Sequence, residues 1–266
     1  MFGILASSFK NCDMIYYIGG PTLWWMNLIL FVTRKPIVSH WIGSDVLSFR
    51  NGKATAGWRG YINRRATYKW FRYYVADSPE LANELKDMAI SASVVRLLPA
   101  RIEAEPELLP HDFTVLSYWL VGKKEFYGGD IVLRLAKEMP QVKFIITGTL
   151  GAEEESLSNV RYLGFHDNVE DLYRRSSALI RLPEHDSLSA MVLEMLARGR
   201  YVIYNKRMPG CIFAQNYEEA KKSLQQILTE KEPNTEGAHY VKKEYSIMRE
   251  AEKLGTICKD VMNDLS

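Results

Sequence analysis

The sequence predicts an α/β protein built of two doubly wound domains with parallel sheets. Three observations lead there. Short β-branched and aromatic runs alternate with helical stretches along the whole chain, the 266 residues suit two modest domains, and the alternation is broken once by an acidic, two-proline segment, residues 103–112. That segment sets the expected boundary: a first domain of residues 1–107 and a second of 108–266, with the C-terminal helix packing back on the first.

The elements follow in order. The chain opens at a short helix. A strand over 13–18 ends in Gly19-Gly20-Pro21, a helix covers 22–33, and a strand over 36–41 ends in Ile42-Gly43-Ser44-Asp45. A basic, aromatic helix spans 62–72 and a short strand 73–76. Asp77-Ser78-Pro79-Glu80 then starts a further helix with proline in its first turn, and 93–97 is a strand. The second domain reads strand 113–119, helix 129–138, strands 142–147 and 160–163, short helix 169–176 and buried strand 177–182. A helix beginning near Ser189, a strand over 201–204, and helices over 217–229 and 238–264 complete it. The first domain thus offers about four strands, fewer than a complete doubly wound unit. Its open sheet edge predicts cover from a partner chain or a second copy.

Composition narrows the function. The net charge of +2 argues against a strongly basic nucleic-acid binder. Charge is uneven, however: between Asp45 and Asp77 there is no acid, only Arg50, Lys53, Arg59, Arg64, Arg65, Lys69 and Arg72. With Trp58, Trp70, Phe71 and Tyr73, these suit docking on anionic lipid or a polyprenyl-phosphate acceptor, or equally a solvated helix face with a core stripe opposite. Cys12, Cys211 and Cys258 are scattered, which fits reduced thiols in the cytosol and no structural zinc. The longest apolar run, Leu23 to Val32, is too short to span a bilayer, and Met1 to Ala6 lacks a signal peptide's basic leader. The expectation is a cytoplasmic protein, soluble or peripheral at the inner membrane face.

Three loops after strands of the second domain carry chemistry. Gly122-Lys123-Lys124 through Gly129 offers two ammonium groups, and Gly148-Thr149-Leu150-Gly151 permits close backbone approach. The third loop, around Asp186, leads into a helix that carries Glu194 about one turn in. Small residues entering a helix present N–H groups and the positive end of its dipole to an anion. Ligands of doubly wound sheets bind beyond the carboxyl ends of the strands, so these loops suit a diphosphate. Two flanking acids further suit a nucleotide diphospho-sugar, with hydroxyls at both ends. An ordinary strand–loop–helix junction has the same pattern, and the residues alone leave both readings open. There is no Walker sequence and no GxGxxG.

In this order, the chain resembles the retaining GT-B glycosyltransferases that use nucleotide sugars, the family-4-like, group-1 type with two Rossmann-like domains. The likeness rests on Val160-Arg-Tyr-Leu-Gly-Phe-His-Asp-Asn-Val-Glu-Asp-Leu-Tyr-Arg-Arg-Ser-Ser-Ala-Leu-Ile180 and on Asp186, seven residues and Glu194, followed by Met-Leu-Ala-Arg-Gly. Gly122-Lys123 with Tyr127-Gly128, His40 to Asp45 and Val75 to Glu80 add to it. The resemblance implies sugar transfer with retention, without metal or other cofactor, to a glycan or polyprenyl-linked acceptor of cell-surface polysaccharide. It implies that Glu194 binds ribose hydroxyls and Asp186 a hydroxyl of the donor sugar. Backbone N–H groups of Leu188, Ser189 and Ala190 would meet phosphate or sugar, Lys123 (with Lys124) would neutralise the diphosphate, and Gly122 and Gly148 would line the site. His40 falls near the family's cleft histidine, although Ile42 fits that place equally; a structural histidine is the other reading.

The sequence also departs from the family. Asp186 replaces the usual Glu, and Glu184 stands nearby as a substitute. Ser187 and Ser189 replace glycines, and Tyr127 stands where a second basic residue is usual. With the short first domain, these departures sustain an alternative: a non-catalytic sugar-nucleotide-binding or scaffold subunit that needs a partner chain. A sugar-nucleotide epimerase fits less well, because only Glu184, His185 and Asp186 are at hand as acid/base groups.

Overall fold

The computed structural model describes residues 12–151 and 156–264. The expected opening helix and the leader region of Met1 to Ala6 lie outside them. The chain divides into two compact units. The first comprises Met1–Leu97, His185–Leu188 and Ile247–Ser266; the second comprises Leu98–Glu184 and Ser189–Ser246.

The first unit holds a four-stranded sheet of β1 (Ile15–Ile18), β2 (Ile37–Trp41), β3 (Tyr73–Ala76) and β4 (Ser93–Val94), all parallel and in sequential order. Helices α1 (Trp24–Thr33), α2 (Ser44–Arg50), α3 (Gly57–Arg65) and α4 (Pro79–Asp87) make the crossovers. A π-helical turn, Ala66–Trp70, follows α3. The start of α4 follows capping chemistry: Ser78 Oγ accepts the Leu81 N–H at 3.2 Å, and Pro79 opens the first turn, where its missing N–H is not needed.

Alternation along β2 assigns its faces. Ile37 packs with Leu30, Ala66 and Phe71, and Trp41 with Phe49, Leu81 and Leu85, whereas Val38 joins Val75 and Val95 on the other side. Helix α10 (Ile247–Asn263) covers that second side through Leu254, Ile257 and Val261. Glu250 fixes it to the end of β4 by accepting the Arg96 N–H at 2.9 Å and pairing with the Arg96 guanidinium at 3.2 Å.

The second unit holds a six-stranded parallel sheet in the order β10-β9-β8-β5-β6-β7. Its strands are β5 (Thr114–Tyr118), β6 (Lys143–Thr147), β7 (Val160–Tyr162), β8 (Ala178–Arg181), β9 (Tyr201–Tyr204) and β10 (Cys211–Phe213). The helices are α5 (Gly129–Glu138), α6 (Val169–Arg174), α7 (Ala190–Ala197), α8 (Tyr217–Ile227) and α9 (Thr235–Glu244). Val132, Leu135 and Ala136 put one face of α5 into a core with Val115, Phe144, Ile146, Ile180 and Ile203. The sheet runs outward in both directions from the β5–β8 pair, so the carboxyl ends of β5 and β8 form the topological switch point.

Candidate active site

A cleft of about 1010 Å³ in the second unit opens at that switch point. It is lined by the loop after β5 (Trp119 to Phe126), the loop after β6 (Gly148 to Leu150), the loop after β7 (Leu163 to Phe165), and Glu184 after β8. Each contribution comes from the carboxyl end of a strand, where a doubly wound sheet has gaps between its diverging loops. The Glu184 N–H donates to the Phe126 carbonyl at 2.8 Å and ties the loop after β8 to the loop after β5.

Five residues expected at a donor site meet in this lining: Gly122, Lys123, Lys124, Gly148 and Glu184. The two lysines differ in their surroundings. Lys124 pairs with Asp130 at 3.3 Å, whereas Lys123 Nζ lies 5.5 Å from the centre of the Phe126 ring with no carboxylate partner among the described residues. Lys123 is therefore the ammonium whose charge faces the cleft unneutralised. Gly148 is left-handed (φ +86°), and a Cβ there would stand 2.5 Å from the Trp119 carbonyl oxygen. Only glycine lets the loop after β6 pass so close to the loop after β5.

The remaining expected residues lie outside that lining. Tyr127 packs half-buried against the core, edge-on to Tyr118 at 5.3 Å. The guanidinium of Arg181, at the carboxyl end of β8, sits 5.6 Å from the Tyr127 ring centre. Glu194 lies in α7, only 4 % exposed, with Oε2 accepting the Tyr173 hydroxyl at 2.6 Å and Oε1 3.5 Å from Arg101. Burial raises the Tyr173 phenol well above its ordinary value, and Glu194 adds to the rise. Ser189 is buried and Ala190 exposed at the start of α7, which has no side-chain cap on its first N–H groups.

Leu188, Asp186 and His40 belong to the first unit. Asp186 is half-buried beside Ser187, whose hydroxyl donates to Asp77 Oδ2 at 3.3 Å. Asp77 also accepts the Leu97 N–H at 2.6 Å. Burial raises its carboxyl to about 6, and the charge of Asp186 adds to the rise. His185 pairs with Glu84 at 3.1 Å. His40 is fully buried in β2; its Nδ1 and the Tyr16 hydroxyl share a hydrogen bond, and burial lowers its pKa to about 4. Alternation puts it on the Val38 side of the sheet, the side that α10 covers.

Asp45 gathers two loops. Its carboxylate accepts the N–H groups of Ile42, Gly43 and Val46 at 3.1, 2.8 and 2.9 Å, and that of Gly20 after β1. The segment His40 to Asp45 therefore acts in the fold as a loop clasp. Arg101, Tyr173 and Arg181 carry no site role in the sequence reading, and Asp77 enters it only through the helix start and the Val75 to Glu80 stretch. Arg181 carried the best signal, a cation ending an otherwise apolar strand.

No protein-family model and no curated protein matches the sequence. Solved structures do. HepE of Anabaena, in complex with UDP and glucose, aligns with a TM-score of 0.75 over 97 % of this chain and 80 % of its own, at 11 % identity. Sucrose-phosphate synthase of Thermosynechococcus elongatus gives 0.76 over 98 % and 77 %, at 12 % identity. A glycosyltransferase of Rickettsia africae gives 0.71 over 98 % and 80 %, at 13 % identity. At such identities the likeness is one of fold, and with its two parallel sheets, the N-terminal one smaller, this chain has the architecture of the GT-B glycosyltransferases.

Proposed function

We propose that the chain is a retaining glycosyltransferase that moves a sugar from a nucleotide diphospho-sugar to a glycan or lipid-linked acceptor in cell-surface polysaccharide synthesis. The observation that carries this reading is the convergence of Lys123, Gly122, Gly148 and Glu184 on one cleft at the switch point of the second sheet. HepE, described with UDP-glucose bound, supports a nucleotide-sugar donor. In this reading Lys123 faces the diphosphate, and the uncapped start of α7 adds its N–H groups. As the bond from the sugar to the diphosphate breaks, negative charge grows on the leaving oxygen. A fixed ammonium and oriented N–H groups stabilise that charge without reorganising. Asp186 holds a hydroxyl of the sugar, and Glu194 holds the ribose.

A second reading is a sugar-nucleotide-binding subunit that works with a partner chain. It is favoured by the state of Glu194, whose two oxygens are already engaged by Tyr173 and Arg101. Calorimetric titration with UDP-, GDP- and ADP-sugars, alongside Lys123→Ala, tests the donor site. Saturable binding to one nucleotide that weakens in the variant is the expected result; absence of binding across the panel overturns the enzyme reading for the isolated chain and leaves a scaffold subunit that needs its partner chain. Transfer or slow hydrolysis of the bound donor then separates the enzyme from the subunit.

A further inference from the structure

Helix α1 reads Trp-Trp-Met-Asn-Leu-Ile-Leu-Phe-Val-Thr, without a charge in ten residues, yet only Asn27 and Leu30 are buried. A helix apolar on all sides normally lies inside a core or against lipid. Here the outward side remains open: Trp25 is 43 % exposed, Phe31 50 % and Val32 77 %. Three contacts align α1 alongside α3 and the π-turn. Trp24 meets Trp58 edge-on at 4.9 Å, Asn27 Nδ2 donates to Asn63 Oδ1 at 2.8 Å, and Phe31 stacks on Trp70 at 4.3 Å. The outer side of this pair continues through Trp58, 61 % exposed, and the exposed Tyr61. These side chains form one apolar and aromatic face rather than scattered exposed residues.

The segment that supplies that face carries charge of nearly one sign, although Arg50 pairs with Glu84 of α4 at 3.5 Å. From Met14 to Ala76 the only acid is Asp45, against the nine cations Arg34, Lys35, Arg50, Lys53, Arg59, Arg64, Arg65, Lys69 and Arg72. Asp45 is buried and engaged with backbone N–H groups. Arg59 lies over both Trp24 and Trp58, at 5.7 and 5.3 Å, and Arg65 over Tyr61 at 5.3 Å. Guanidinium groups flanking exposed indole and phenol rings reproduce the pattern of a membrane–water interface: rings at headgroup depth, cations reaching phosphate, aliphatic stems in apolar surroundings.

We propose that the outer face of α1 and α3 docks on an anionic lipid bilayer. Charge selects this occupant over a second copy of the chain, because two such faces would bring like charges together. No helix among the described residues is long and apolar enough to cross a membrane, so the contact is interfacial. This inference stands apart from the donor site and does not depend on it.

The test is co-sedimentation of the full chain with vesicles of phosphatidylcholine alone and of phosphatidylcholine mixed with phosphatidylglycerol. Tryptophan fluorescence is followed in the same samples. Expected are binding to the mixed vesicles only, a blue shift on binding, and release by salt. Trp25→Ser/Val32→Ser and Arg59→Gln/Arg65→Gln should each weaken that binding by about tenfold or more, with thermal stability and nucleotide binding retained. Equal binding to both vesicle types, or binding to neither, overturns the proposal. So does a wild-type dimer in sedimentation that the variants abolish, since the face would then belong to a second copy.

Discussion

The Tyr173 hydroxyl donates to Glu194 Oε2 at 2.6 Å, and both side chains are buried. The bond fixes the rotamer of the one acid in α7 and leaves Oε1 beside Arg101, a half-exposed partner at 3.5 Å. An ion pair with one exposed member contributes little, so ribose hydroxyls can compete for Oε1. Tyr173 is therefore a positioning residue in the proposed site. Tyr173→Phe keeps the ring beneath Arg198 but removes the donor. The expected cost is about 1–3 kcal/mol of stability, because a buried carboxylate oxygen loses its partner, together with weaker nucleotide binding. Denaturant unfolding and calorimetry check this; unchanged affinity with reduced stability would make the bond structural only.

Lys123 and Lys124 are neighbours with different roles. Asp130 engages Lys124, while Lys123 lies beside the Phe126 ring with no carboxylate partner among the described residues. Lys123→Ala is expected to weaken binding of a nucleoside diphosphate by about tenfold, the loss of one charge-assisted contact. Lys124→Ala should change it by no more than about threefold. Calorimetry with UDP and GDP reads both variants, and equal losses would contradict the assignment.

The fold was legible where local signals agreed with the tertiary environment. Helix α5 begins at Gly129 and ends at Glu138, as its apolar spacing requires, and β3 and β9 match their short buried runs. Where packing or distant partners decide, the sequence was silent. Ser44–Arg50, to which the sequence assigns no element, is helical, and the Asp45 carboxylate collects the loop N–H groups around its first turn. The expected helix over 238–264 is two helices, α9 and α10, with Tyr245 extended between them and the two belonging to different units. The basic helix starts at Gly57 and passes into a π-turn at Ala66, and the three-residue edge strand β10 lies below what alternation can resolve. In the candidate site, the post-strand loops were readable because small and basic residues mark them. The engagement of Glu194 by Tyr173 and Arg101 was not, since it depends on residues brought together only by the fold.

The crossing at Gly148 can be tested by adding one methyl group. Its φ is +86°, and a Cβ would stand 2.5 Å from the Trp119 carbonyl oxygen and 2.7 Å from the Tyr118 ring. Gly122, also left-handed at +67°, has nothing within 4 Å of the same position. Both alanine variants bear the backbone cost of about 1–2 kcal/mol; only Gly148→Ala adds an overpacking cost of about 1–3 kcal/mol. The expected order of melting temperature is wild type, Gly122→Ala, then Gly148→Ala, separated by about 2–4 °C per kcal/mol. A Gly148→Ala protein as stable as Gly122→Ala would show that the two loops do not cross as described.

His40 and Asp77 give the first unit two opposing pH dependences. Burial lowers His40 from 6.5 to about 4. Burial raises Asp77 from 3.8 to about 6, although the Leu97 N–H, Ser187 and Arg96 pull it down. The folded state binds a proton at His40 less readily than the unfolded chain. That contribution to stability is complete above pH 6.5 and is lost as pH falls toward 4. The folded state holds the Asp77 proton more tightly, so its contribution is complete below pH 3.8 and lost as pH rises through 6. Each span is on the order of 3 kcal/mol, and between the two limits the slopes oppose each other. Relative to wild type, His40→Gln should therefore lose stability as pH rises through this window, and Asp77→Asn should gain it. Urea unfolding of the three proteins across about pH 4 to 6 reads the difference. Three parallel curves would mean that neither group changes its proton affinity on folding, and the burial assigned to both would have to be abandoned.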